Sequence, residues 1–296
     1  MTVETSTSTS TSTALSSANR AIVYRTKGDK HGPITRLMSP SDLGEHLKPF
    51  VFLDHFEAQA ASFPGFGMHP HSGIATLTCM MQGSASYEDT TGEQGKKGLL
   101  PEGGVEWMQA GGGVWHSSSP TSGSTMRGFQ LWVALPPAHE NAAAYSSYMA
   151  PDVIPQVGPA RLLLGQYDGA KSEITPPSDM NYLAVTLKTG ESWTYQPPAG
   201  HSVAWAALSR GTVSAGELAD APMAAGELVV FDQSAGGITF KALEGAEFVL
   251  GSAVQHAHEL VLGRYSVHTS PAALQQGEAT IKQMGVALAA QRRLKA

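Results

Sequence analysis

Most of the chain consists of short apolar runs separated by glycine and proline. Typical runs are AIVYRT at 21–26, FVFLDHFE at 50–57 and NYLAVTLKTG at 181–190. Runs of four to eight residues at near-regular spacing, with turn residues between them, are typical of an all-β sandwich or barrel. A looser stretch after Pro136 and Pro137 divides the pattern into two blocks. We therefore expect an all-β fold of two β-barrels.

The two ends of the chain differ from this pattern. The first segment is almost entirely Ser, Thr and small residues, which cannot bury enough apolar surface to offset the entropy of ordering. At the other end, Ser270 is a candidate N-cap, Pro271 suits the first helical position, and helix formers follow. We expect one or two short helices there, interrupted near Gly277. The predicted segments are a disordered tail at 1–20, an N-terminal barrel at 21–140, a C-terminal barrel at 141–270 and a helical segment at 271–296.

Charge and cysteine content exclude several classes of protein. The chain has 296 residues and a formal charge of -6, from 19 Lys and Arg against 25 Asp and Glu. No clustered basic stripe is present, which argues against direct nucleic-acid binding. The single cysteine, Cys79, is expected to be a buried structural thiol and fits a reducing compartment. Neither a membrane-span pattern nor a signal-peptide pattern is found, so we predict a cytoplasmic protein without a membrane partner.

Two histidines separated by one proline begin the segment HPHSGIATLT. Successive side chains of an extended chain point to opposite faces, so His69 and His71 point the same way. The same alternation predicts that Leu77 and Met81 continue this face as an apolar barrel interior. Pro70 stiffens the pair by fixing its own φ. Two imidazoles at the open end of an apolar interior form half of a metal site.

A third histidine follows a glycine-rich turn in VEWMQAGGGVWHS. His116, together with the HPH pair, would make a set of three neutral nitrogen donors. Such a set suits Fe, Ni, Zn or Cu and leaves positions open for water or substrate. The surrounding positions are apolar or aromatic, which favours a planar aromatic ligand over a sugar or phosphate, although such residues also form ordinary barrel cores. The predicted pocket residues are Leu77, Met81, Trp107, Met108, Trp115 and Phe129.

Five segments, in their order along the chain, resemble the pirin family of the cupin superfamily. They are FVFLDHFE, HPHSGIATLT, YEDTTGEQG, VEWMQAGGGVWHS and RGFQLWVALP. The resemblance covers about residues 22–137 and continues more weakly to GRYSVHTSPAAL. It implies a bicupin of two stacked antiparallel β-barrels, with a short C-terminal helix packed back on them, and a mononuclear iron-type metal in the N-terminal barrel. It also implies quercetin 2,3-dioxygenase activity on flavonols, or a role as a redox-responsive transcriptional co-regulator with a protein partner.

Carried over by position, the resemblance implies His69, His71 and His116 as metal ligands and a glutamate two residues after the third histidine. This chain has Ser118 there. A serine hydroxyl is a poor metal ligand at neutral pH, so the ion would keep its full double charge and bind more weakly. On this basis, Ser118→Glu is expected to raise the affinity for Fe(II) or Ni(II) at least about tenfold.

Three other carboxylates are candidates to replace that glutamate. Glu88 and Asp89 lie in YEDTTG, and Glu106 precedes Trp107 on the run that leads to His116. We favour the interpretation that all three are solvated charges of a loop or an outward strand face. The alternative is that one of them turns toward the barrel mouth and fills the fourth ligand position.

The second block offers no equivalent set of ligands. His201 is isolated, and the pair His256 and His258 repeats the H-x-H spacing only after the last clear strand, so we interpret them as surface or loop histidines rather than a second metal site.

Three functions remain open: an oxygenase with Fe(II) favoured and Ni, Zn or Cu as alternatives, a non-enzymatic metal- or redox-responsive regulator, and a degenerate cupin without metal. Metal analysis separates the third from the others, and substrate turnover separates the first two.

Overall fold

The computed structural model describes residues 19–93, 95–121, 125–216 and 218–295, so most of the predicted tail lies outside the described residues. The strands of the first half are β1 (Ile22–Thr26), β2 (Asp29–His31), β3 (Ile34–Met38), β4 (Phe50–Gln59), β5 (Phe66–His71), β6 (Ile74–Gln82), β7 (Ala85–Asp89), β8 (Lys96–Leu100), β9 (Val105–Gln109), β10 (Val114–Pro120), β11 (Thr125–Ala134) and β12 (Tyr145–Met149). The strands of the second half are β13 (Gln156–Val157), β14 (Ala160–Leu164), β15 (Gln166–Tyr167), β16 (Ala170–Lys171), β17 (Met180–Leu187), β18 (Ser192–Tyr195), β19 (Val203–Ala215), β20 (Leu218–Ala224), β21 (Leu228–Phe231), β22 (Ile238–Ala253), β23 (Val261–Leu262) and β24 (Val267–His268). The helices are α1 (Leu43–Leu47), a 3₁₀ turn (Pro151–Val153) and α2 (Pro271–Lys295).

Two antiparallel sheets build the N-terminal half. A seven-stranded sheet has the order β12-β9-β6-β11-β4-β3-β2, and a four-stranded sheet has the order β5-β10-β7-β8. Phe56, Met80 and Met126 of the larger sheet pack against Ala85 and Leu100 of the smaller one, which makes a sandwich with a filled interior. The predicted all-β, cupin-type fold is confirmed. Its strands form two facing sheets rather than a closed barrel.

The chain passes from one sheet to the other between β5 and β6. Gly73 lies at this corner with φ +74°, and a Cβ there would come within 2.0 Å of the Val267 carbonyl oxygen. Only glycine tolerates both the left-handed conformation and that approach. The corner also resets the alternation of side chains, so the faces of β6 do not continue those of β5.

One nine-stranded sheet dominates the C-terminal half, with the central order β1-β21-β19-β22-β17-β14-β13. Its two longest strands are β19, of 13 residues, and β22, of 16. Their mutual register shifts three times between Leu208 and Val213. Bulges of this kind bend a strand, which lets β22 pair with β17 along its second part and with β18 along its first.

A single apolar core joins the two halves. It contains Leu77, Trp107 and Phe129 from the seven-stranded sheet together with Tyr182 and Trp205 from the nine-stranded sheet, all of them fully buried. The two halves are therefore packed sheet against sheet.

Two strands pair across the boundary predicted between residues 140 and 141, which separates the two barrels. Strand β1, at the start of the predicted N-terminal barrel, pairs with β21 in the sheet of the second half. Strand β12, which follows the predicted boundary, pairs with β9 in the first half. Strand order along the chain does not reveal these exchanges, because they depend on long-range pairing.

The predicted C-terminal helix is present, but it is one helix of 25 residues, and the expected interruption near Gly277 is wrong. Gly277 is buried against Ser72 and His268, so the glycine allows a close approach instead of ending the helix. The short helix α1, which begins after Asp42, was not anticipated. None of the described helices is long and apolar enough to cross a membrane.

We expect Gly277→Ala to destabilise the protein, although alanine is the better helix former by about 1 kcal/mol. A Cβ at this position would lie 2.5 Å from Ser72 Oγ and 2.6 Å from His268 Nε2, both buried. Overpacking of this kind typically costs about 1–3 kcal/mol. The free energy of unfolding from urea titration checks this, with exposed Ala279→Gly as the control for helix propensity alone. A gain in stability for Gly277→Ala would contradict the packing described here.

Candidate metal centre

The three predicted histidines converge in the four-stranded sheet. His69 and His71 lie on β5, and His116 lies on β10 directly opposite His69. The Nε2 atoms of His69 and His116 are 3.0 Å apart, and one ring nitrogen from each histidine falls within 4.8 Å of the others. The predicted convergence of the rings is thus confirmed. In the part of the chain that the structure describes, this is the only group of three or more candidate ligands.

Backbone carbonyls orient two of the rings. His69 Nδ1 lies 2.7 Å from the Gly67 oxygen, and His71 Nδ1 lies 3.0 Å from the Tyr265 oxygen. A carbonyl only accepts hydrogen bonds, so each Nδ1 carries the proton and each Nε2 keeps its lone pair. Metal-bound histidines are usually oriented in this way.

Burial keeps these rings neutral. It lowers the pKa of His69 to about 4 and that of His71 well below its usual range, with the neighbouring His116 lowering both further. His71 Nε2 is buried and has no hydrogen-bond partner among the described residues. A buried nitrogen normally finds a partner. The converging set of three ring nitrogens, one of them orphaned, therefore fits a divalent ion of the Fe, Ni, Zn or Cu type.

Because several buried histidines have low pKa values, the metal-free protein should lose stability as the pH falls. Burial lowers the pKa of His55 and of His256 to about 4, as it does for His69. Unfolded histidine titrates near 6.5, so below that pH the unfolded state takes up protons first and stability falls until about pH 4. We expect the Tm of metal-free protein to drop by at least about 5 °C between pH 7.5 and pH 5. An unchanged or higher Tm at pH 5 would contradict these assignments.

A segment near the C-terminus closes over the site. The Tyr265 ring lies 6.4 Å from both His69 and His71, measured between centroids. Ser72, next to His71, forms an isolated bridge with Ser266 and donates a hydrogen bond to its hydroxyl. The residues involved are separated by 194 positions, and sequence analysis missed this contribution.

Two of the three candidate carboxylates are buried, contrary to our interpretation. Glu88 is exposed beside Lys97, as expected for a solvated charge. Asp89 and Glu106 are 2% and 4% exposed. Strand β7 places Asp89 opposite His116, and Glu106 Oε1 lies 3.8 Å from His116 Nδ1. The interpretation failed because these strands turn the two side chains toward the sandwich interior.

The predicted aromatic pocket is not assembled around the histidines. Leu77, Trp107 and Phe129 belong to the core between the two halves, and Met81 packs against that core. For Leu77 and Met81 the prediction failed because the corner at Gly73 resets the alternation along β6. Trp107 and Phe129 lie on other strands, on the faces that pack against the second half. The two remaining predicted pocket residues also make contacts elsewhere. Met108 packs with Ala110 and Val114. The indole nitrogen of Trp115 donates a hydrogen bond to the Ile281 oxygen of α2.

The aromatic side chain that does lie beside the site is Trp132. Its ring centroid is 4.8 Å from that of His71, and its other face stacks on Phe52. The buried Trp132 Nε1 has no hydrogen-bond partner among the described residues.

Ser118 lines a small enclosed cavity of about 20 Å³ next to the site. Thr78, Glu106 and Gln130 supply polar groups to the same cavity. A space of this size holds about one water molecule. The cavity shows that Ser118 and Glu106 face one interior space.

The remaining predicted positions lie elsewhere. Cys79 is a fully buried thiol, as expected, and burial raises its pKa to about 11. His201 is buried and contacts Ser252 and Asp179, so it is not a surface residue. His256 is buried and His258 exposed, with ring centroids 5.2 Å apart.

Comparison with known proteins agrees with this geometry. The family model described as Pirin matches residues 33–133. A pirin-like protein of Caulobacter vibrioides is 33% identical over 201 residues, which cover 62% of this chain and 68% of that protein. The chain belongs to the pirin family. Another member of similar likeness, from Pseudomonas aeruginosa, is named "putative quercetin 2,3-dioxygenase" and is 34% identical over 62% of this chain and 68% of its own.

Solved structures agree on the pirin fold. A quercetin 2,3-dioxygenase from Acinetobacter baumannii superposes with a TM-score of 0.76 at 23% identity, covering 89% of this chain and 93% of that one. A bacterial pirin from Escherichia coli, solved in complex with nickel(II), gives a TM-score of 0.60 at 19% identity, covering 80% and 96%. At these identities the likeness is one of fold.

Proposed function

We propose that this pirin-family protein holds one divalent metal ion on His69, His71 and His116, and that it acts as an oxygenase on flavonol-type substrates. The observation that carries the proposal is the convergence of three histidine ring nitrogens, and two of the three rings have their opposite nitrogen fixed by a carbonyl. Three protein ligands leave positions open for a substrate oxygen. Fe(II) suits oxygenase chemistry, and the nickel complex of the Escherichia coli pirin supports a divalent ion in general.

The chemistry supplied by a bound ion is Lewis-acid polarisation of an enediol-type oxygen. The protein groups around it would bind and orient the substrate. Trp132 places an aromatic ring beside His71, and the half-buried Tyr265 offers a second ring on the side of the C-terminal segment. These two rings favour a planar aromatic molecule, and they replace the pocket residues predicted from sequence.

Dioxygen uptake by Fe(II)-loaded protein tests the proposal. Quercetin should stimulate uptake by the wild type, whereas a sugar phosphate should not. The His69→Ala variant should show no quercetin-dependent uptake. Tight metal binding without any flavonol-dependent uptake would contradict the oxygenase proposal and favour a regulatory protein whose metal state is read by a protein partner.

A further inference from the structure

We propose that Glu106 is a positioning residue that supplies negative charge to the metal centre through the ring of His116. The inference rests on the proposed metal centre and deepens it. Glu106 Oε1 lies 3.8 Å from His116 Nδ1, and both side chains are 5% exposed. The nitrogen that faces the other histidines is Nε2. Glu106 therefore lies on the side of the His116 ring opposite the proposed metal position.

Glu106 does not belong to the ligand group itself. The ring nitrogens of His69, His71 and His116 lie within 4.8 Å of one another, and no carboxylate oxygen of the described residues joins that group. At 3.8 Å the Glu106 carboxylate is at ion-pair distance from the distal nitrogen and is not hydrogen-bonded to it. A carboxylate on that side of a metal-bound imidazole attracts the proton on the distal nitrogen and so makes the other nitrogen a stronger donor. This route brings anionic charge to a centre whose three candidate ligands are all imidazoles.

Neighbouring side chains hold the Glu106 carboxylate in place. Thr78 donates to Oε2 at 2.9 Å, and the Tyr148 hydroxyl lies 3.3 Å from Oε1. Strand register explains these contacts, because Thr78 on β6 and Tyr148 on β12 are both directly opposite Glu106 on β9. The Tyr148 hydroxyl also lies 2.7 Å from Asp89 Oδ2, so it separates two buried carboxylates. Burial and these carboxylates raise the pKa of Tyr148, which keeps it a neutral donor.

Position 118 gives a way to test the role of this charge. Ser118 and Glu106 line the same enclosed cavity of about 20 Å³. A glutamate at 118 would place a second carboxylate in that space, where two like charges repel strongly. The tenfold gain expected for Ser118→Glu from the sequence should therefore shrink to less than about threefold while Glu106 is present. The full tenfold gain should appear when Glu106 is replaced by glutamine, which carries no charge.

Calorimetric titration of the full chain with Ni(II) measures this coupling. Ni(II) binds nitrogen donors more tightly than Fe(II) does, which makes it a suitable probe. Glu106→Gln should weaken Ni(II) binding at least about tenfold. The double variant Ser118→Glu, Glu106→Gln should recover at least about tenfold relative to Glu106→Gln alone. If Glu106 had only a structural role, a carboxylate at position 118 would not restore the Ni(II) affinity.

Asp89→Asn is the matched control. Asp89 is equally buried and also contacts Tyr148, but its carboxylate accepts hydrogen bonds from Thr91, Ser146 and Tyr148. Of these two carboxylates, only Glu106 lies within 4.0 Å of a ring nitrogen of the three histidines. We expect Asp89→Asn to change Ni(II) affinity less than about threefold.

The outcomes separate the two proposals. Wild-type Ni(II) affinity in Glu106→Gln would overturn the role of Glu106 and leave the metal centre standing. Failure of the wild type to bind Ni(II) would overturn the metal centre and this inference with it. If Glu106→Gln does not fold, Glu106→Asp serves instead, because its shorter side chain withdraws the charge from Nδ1. Unchanged affinity in Glu106→Asp would overturn the inference.

Discussion

His116→Ala is expected to lower the affinity for Ni(II) at least about a thousandfold, or about 4 kcal/mol. The substitution removes one of three converging nitrogen donors, and a site with two remaining imidazoles has lost its facial geometry. It also leaves Glu106 without the ring that it faces. Calorimetric titration of metal-free wild type and variant, at a pH where the histidines are neutral, measures the difference.

His258→Ala is the matched control for this measurement. His258 is an exposed histidine of the other H-x-H pair, so its removal deletes an imidazole without touching the converging group. Its Ni(II) affinity should equal that of the wild type. Loss of tight binding in His258→Ala, with binding kept in His116→Ala, would place the ion at the second pair and reject the centre described here.

Trp205→Ala should destabilise the whole protein by about 3–5 kcal/mol, the usual cost of removing a fully buried tryptophan. Trp205 belongs to the sheet of the second half, and its ring meets Phe50 of the first half edge to face at 5.5 Å. It also packs on Tyr182 and against Gly251. Because the residue lies in the shared core, urea unfolding should remain a single transition that shifts to lower urea concentration.

Trp193→Ala provides the comparison. Trp193 is half-buried at the rim of the second-half core, where its aromatic neighbours are Tyr167, Tyr195 and Phe240. The loss should be smaller, about 1–2 kcal/mol. If Trp205→Ala split unfolding into two transitions, with the first half unaffected, the two halves would not share one core.

The strand pattern could be predicted from sequence because each apolar run is a local property. FVFLDHFE, for example, becomes the ten-residue strand β4. The partners of the strands could not be predicted, since β1 pairs with β21 some 200 residues away. Helix α2 shows the same limit. Gly277 predicts a helix break locally, and only the long-range contact with Ser72 and His268 explains why the helix continues.

The candidate site likewise contains residues that the sequence predicts and residues that it does not. His69 and His71 were identifiable from their spacing, and His116 from the glycine-rich turn before it. The groups that orient them were not, because the Tyr265 carbonyl is 194 residues from His71 and the Glu106 side chain reaches His116 across the sandwich interior. The predicted pocket failed partly at Gly73, where the chain turns the corner and reverses which face of β6 points inward, and partly because Trp107 and Phe129 lie in the core between the two halves.

Anomalous diffraction at the nickel edge, from crystals of the full chain grown with Ni(II), locates the bound ion directly. We expect one strong peak about 2.1 Å from the Nε2 atoms of His69, His71 and His116. Glu106 should remain beside His116 Nδ1 and should not contact the ion. A peak at other residues, or none at these three histidines, would show that the three histidines are not the metal centre.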